Sequence, residues 1–147
     1  MKLDRPAEAV IAFQGALSGG SAQSRQDAAY GLSLAYLRLG LTSQAAIAST
    51  QAPLQAGRAR DLNLSILTQR ILTDYQSGHY AQVLIGLDTR ATLAPEQTDL
   101  LMLRGWSYFH LQRFTEARRV FETLAAAGNQ DAAGGVEAVR EATHTRY

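Results

Sequence analysis

The 147 residues carry 14 Lys and Arg against 13 Asp and Glu, with 46% hydrophobic residues, three prolines and no cysteine. That is enough apolar chain for one domain spanning 1–147 and too much for a disordered one. A net charge of +1 argues against a nucleic-acid partner, and the missing cysteines remove disulfides, thiolate zinc sites and cysteine nucleophiles.

Residues 1–6 lack the apolar run of a signal peptide, and no segment reaches membrane-span length, so membrane contact by this segment is not expected. The Ala-, Leu-, Gln- and Arg-rich composition favours helix. Apolar spacing predicts an all-α chain with helices near 5–18, 25–39, 43–56, 60–77, 80–92, 97–111, 114–127 and 131–143.

In chain order, the first helix places Ala9, Phe13 and Ala16 on one face and stops at Gly19-Gly20. It reads as the second helix of a pair. Ser24 with Asp27 is a start signal for the next helix, which runs into Leu39-Gly40. Around Gln51–Asp61 about four residues exceed the spacing found later, predicting a longer helix or turn. Pro95-Glu96 opens the sixth helix. The last, Asp131–Thr143, is weakened by Gly134-Gly135 and reads as the first helix of a further pair.

Leu67, Arg70, Gly78, Tyr80 and Leu87 superimpose without a gap on Leu101, Arg104, Gln112, Phe114 and Phe121, each pair 34 residues apart. That is the period of a two-helix repeat. Leu101, Gly105, Tyr108, Leu111, Phe114, Ala117 and Phe121 follow the repeat pattern best, and Ala29, Leu32, Tyr36, Leu39, Gly40 and Ala45 repeat part of it. On these residues the chain resembles the tetratricopeptide family, over nearly its whole length. Arg70 and Arg104 stand where that pattern has Leu, Ile71 and Ser33 where it has Gly, Asp74 where it has Tyr, and Thr42 and Ser49 where it has aromatics.

The resemblance implies a right-handed solenoid of antiparallel helix pairs, with about three full repeats plus flanking half-repeats. The half-repeats suggest a slice of a longer array, and their apolar ends leave room for self-association. It also implies a concave groove lined by the first helix of each pair. Carried onto this sequence, the groove positions are Tyr30, Leu34, Leu37 and Arg38; Thr68, Leu72, Tyr75 and Gln76; Met102, Trp106, Phe109 and His110. Leu34 and Leu72 read as core, whereas Tyr30, Tyr75 and Trp106 fit core and partner contact equally. The Lys, Arg and Asn row with which some members grip acidic C-termini is absent.

Arg70 and Arg104 either bind acidic groups or sugar hydroxyls, or pack their stems and turn their charge outward, towards Asp74; the second is favoured. Arg113, Arg118 and Arg119 read as a solvated face paired with Glu116 and Glu122. His79, His110 and His144 are scattered, so no zinc site is expected. Ser18-Gly19-Gly20-Ser21 lacks the strand that a nucleophile elbow needs, and Gly128, Gly134 and Gly135 do not form a phosphate loop. The expectation is a non-enzymatic scaffold without cofactor, binding a protein or peptide, with an enzyme of unrecognised site as the disfavoured alternative. The phrasing of GWSYFHLQRFTEARRVF is also similar to repeat segments of bacterial exopolysaccharide (cellulose) secretion proteins. That likeness implies a periplasmic segment contacting synthesis and export machinery; otherwise a cytoplasmic scaffold is expected.

Overall fold

A computed structural model describes residues 5–52 and 56–144, Ala56 by its backbone alone. Among these residues the fold is all-α, with eight helices and no strand. They are α1 (Pro6–Leu17), α2 (Ala22–Arg38), α3 (Thr42–Ala48), α4 (Ala56–Gln76), α5 (Tyr80–Ala91), α6 (Thr98–His110), α7 (Phe114–Ala126) and α8 (Gln130–His144).

Three boundaries depart from expectation. Helix α2 starts earlier because Ser21, not Ser24, is its N-cap; the Ser21 hydroxyl accepts the Ser24 N–H at 3.1 Å. Helix α3 stops at Ala48, well short of residue 56. Just beyond it the Ser49 and Thr50 hydroxyls donate back to the Ala46 and Ile47 carbonyls, at 2.6 and 2.7 Å. Those local bonds compete with helix continuation. The extra residues after Gln51 lengthen α4 instead, making it 21 residues long; residues 53–55 lie outside the described chain.

The chain packs as two compact units that meet in sequence at Arg70 and Ile71, inside α4. In the first, α1 packs on α2 and α2 on α3. Gly31 on α2 receives the Phe13 ring so closely that a β-carbon there would lie 2.4 Å from it. Ala9 is buried, but Ala16, expected on the same face, is exposed. Ala45, Leu62 and Ile66 form a core cluster on which Tyr30, Leu34, Tyr36 and Leu37 pack. Burying a Leu or Ile side chain is worth about 1.5–3 kcal/mol, and this cluster anchors α4 to α2 and α3.

In the second unit α5 packs on α6, α6 on α7, and α8 on both α6 and α7. Its core positions recur at the sequence period: Ile71 and Gly105, Val83 and Ala117, and Leu87 and Phe121 are all buried pairs 34 residues apart. Phe121, fully buried, sits between two glycines. A β-carbon at Gly105 or Gly135 would come within 2.6 or 2.5 Å of its ring. The glycine pair expected to weaken α8 is therefore half structural. Gly135 is where the helix approaches Phe121, whereas Gly134 has open space beside it.

The turns recur too. Gly40, Gly78 and Gln112 all take left-handed φ values, 75°, 78° and 63°. After each, an N–H reaches back five residues: Leu41 to Tyr36 O, His79 to Asp74 O and Arg113 to Tyr108 O, at 2.9, 2.8 and 2.8 Å. This is the Schellman helix stop.

Candidate functional site

The groove positions read from the sequence fall into two sets, one in each unit. In the first unit, Leu37 and Arg38 line an open depression of about 520 Å³, together with Leu34, Gly40, Ser65 and Gln69. Its size is in the range of ligand pockets, roughly 300–1,000 Å³. Helix α2 supplies the leucines and the arginine; α4 supplies the hydroxyl and the amide. Leu34 and Leu37 are half-buried because one side of each packs on the Ala45, Leu62 and Ile66 cluster. Arg38 is exposed on the last turn of α2.

Tyr30, one turn earlier on α2, is half-buried and covered by the Arg58 guanidinium, 5.0 Å from its ring centre. Arg58 in turn donates to Asp27 at 2.6 Å. This bond, with a second from Gln23, holds the Asp27 carboxyl below the usual carboxylate range. Thr68 is half-buried on α4.

In the second unit the groove positions form part of a continuous aromatic chain. Tyr75 meets Tyr80 edge-on at 5.5 Å, and Tyr80 stacks on His110 at 4.3 Å with the rings 11° from parallel. Phe109 meets His110 and Trp106 edge-on, and Trp106 meets the buried Phe121 at 4.9 Å. Met102, Trp106 and Phe109 are half-buried against the core of Ala117, Phe121 and Val139. His110 and Gln76 are exposed. Burial pushes the Tyr75 phenol above its ordinary pKa, and Tyr80 adds to the shift.

Sequence reasoning missed Ser65, Gln69 and Tyr80. The signal for the first two was their helical spacing from Thr68 and Leu72 on α4; for Tyr80 it was an aromatic just across the turn from Tyr75. The partner proposed for the repeated arginines is corrected. Arg104 grips Glu96 with two hydrogen bonds, 3.0 and 2.5 Å, and Asp88 with a third at 2.9 Å. Glu96 foremost, opposed by burial, raises the pKa of the guanidinium. Asp74 instead lies 3.7 Å from His79, and Arg70 is exposed. Arg113 pairs with Glu116 as expected and also lies over the Tyr108 ring at 4.9 Å.

Among the described residues no cluster of His, Cys, Asp and Glu has the makings of a metal site, and no helix is long and apolar enough to cross a membrane. No family model, curated protein or solved structure matches this chain.

Proposed function

We propose that this chain is a non-enzymatic binding module of the tetratricopeptide type, a right-handed solenoid whose first helices α2, α4 and α6 present a groove to a peptide segment of a partner protein. The observation that carries the reading is the repeated turn. Gly40, Gly78 and Gln112 end first helices with the same left-handed φ and the same five-residue hydrogen bond. Four residues into each following helix comes a buried Ala45, Val83 or Ala117. Side chains on these first helices line the depression beside Arg38 and, with Tyr80 of α5, form the aromatic chain from Tyr75 to Trp106. A row of partly exposed aliphatic and aromatic side chains suits peptide recognition, where a few such anchors carry most of the affinity.

The test is selection of a displayed random-peptide library against the whole chain, followed by mapping of backbone amide shifts. Enriched peptides are expected to shift amides on α2, α4 or α6 and to bind Leu37→Asp at least tenfold more weakly. No enrichment, or shifts confined to α3, α5 and α7, would overturn the reading.

A further inference from the structure

The depression between α2 and α4 has an apolar floor and a one-signed rim. Leu34 and Leu37 offer aliphatic surface, Ser65 offers a hydroxyl, and Arg38 is the only charged residue among the described residues of the lining. Among the described residues of the lining there is no carboxylate. Of the described carboxylates of this unit, Asp27 pairs with Arg58 and Glu8 with Arg5 at 3.6 Å, while Asp61 is exposed one turn before Ser65 on α4. The imbalance extends over the unit. Residues 1–70 hold seven Lys and Arg against four Asp and Glu, a net +3, while residues 71–147 hold seven against nine, a net −2. The positive field of the first unit therefore favours an anionic visitor over a cationic one before any contact forms.

We propose that this depression takes an acidic peptide segment, with an aliphatic side chain seated on Leu34 and Leu37 and a neighbouring Asp or Glu side chain on the Arg38 guanidinium. The proposal rests on the peptide-binding reading and names the partner's chemistry. Guanidinium and carboxylate make charge-assisted, two-pronged hydrogen bonds. The Ser65 hydroxyl of the lining can bond the peptide backbone, which carries a donor and an acceptor at every residue. Leucine, isoleucine or valine suits the floor because that floor is made of two leucines without an aromatic.

The experiment titrates the whole chain with two pools of capped octapeptides, random except for a central Leu-Glu in one and the isosteric Leu-Gln in the other. The Leu-Glu pool is expected to bind about tenfold more tightly, which is ~1.4 kcal/mol. The preference should shrink in 0.5 M salt, roughly three times physiological ionic strength. Arg38→Gln should abolish the preference, while Arg119→Gln, the same charge change in the other unit, should leave it intact. Amide shifts should centre on Ser65 and Gln69. Equal binding of both pools would overturn the proposal and leave the peptide-binding reading standing; no binding of either would overturn both. A Leu-Gln pool with a free C-terminal carboxylate that outbinds the capped Leu-Glu pool would overturn the side-chain carboxylate as the ligand. A chain dimer in sedimentation that Arg38→Gln dissolves would replace the peptide by a second copy.

Discussion

Gly78 and Gln112, 34 residues apart, end α4 and α6 in the same left-handed turn, at φ 78° and 63°. The glycine takes that conformation freely, whereas a side chain with a β-carbon is strained there. Gln112→Gly is therefore expected to stabilise the chain by about 1 kcal/mol. Gly78→Gln should cost about as much. Thermal melting checks both. Equal melting temperatures for the wild type and the Gln112→Gly protein would mean that the glutamine side chain repays its strain.

The 34-residue spacing was legible because it falls on buried positions: Val83 and Ala117, and Leu87 and Phe121, are buried pairs at that interval. The early end of α3 was not legible, since it depends on the Ser49 and Thr50 hydroxyls choosing backbone partners. Of the site, Leu37 and Arg38 could be read from the face of α2 alone. Ser65 and Gln69 were signalled only by their spacing from Thr68 and Leu72, and the longer spacing from Gly40 to Gly78 obscured which side of α4 meets α2. The stack of Tyr80 on His110 joins residues 30 positions apart and has no local signature.

Two adjacent glycines on α8 should respond oppositely to the same substitution. Gly134→Ala adds a methyl group into open space on a helix and is expected to stabilise by about 0.5–1 kcal/mol. Gly135→Ala forces a β-carbon to 2.5 Å from the fully buried Phe121 ring. That overpacking should destabilise by about 1–3 kcal/mol. Denaturant unfolding of the two variants decides it; two shifts of the same sign would mean that α8 does not press on Phe121.

Asp27 supplies a pH dependence of definite sign. Its carboxyl is held low in the folded chain, chiefly by the Arg58 hydrogen bond. The stabilisation is therefore complete above the value of a free aspartate, about 4. It is lost as pH falls through the lower folded value. Carboxylate chemical shifts should place the Asp27 midpoint below that of a free aspartate, and Arg58→Gln should return it there. A midpoint that Arg58→Gln does not move would show that the pair does not persist in solution. The guanidinium over Tyr30 would then lose its anchor as well.

Arg104 and Glu96 test whether a largely buried ion pair contributes stability or only its own satisfaction. Both side chains are 14% exposed, and the guanidinium fork binds both carboxylate oxygens. Removing the carboxylate alone leaves a largely buried cation with the exposed Asp88 and the Tyr108 hydroxyl to meet it. Glu96→Ala should therefore cost about 2 kcal/mol, below the 3–5 typical of a fully buried pair. Arg104→Leu leaves Glu96 facing apolar surface and should cost a similar amount, about 1–3 kcal/mol. The double substitution removes both charges and puts an aliphatic side chain at the helix contact. It should recover most of either loss, a coupling of at least about 1 kcal/mol in the double-mutant cycle. Additive losses would instead mean that the two side chains pack independently, and that Asp88 is the partner that matters to Arg104.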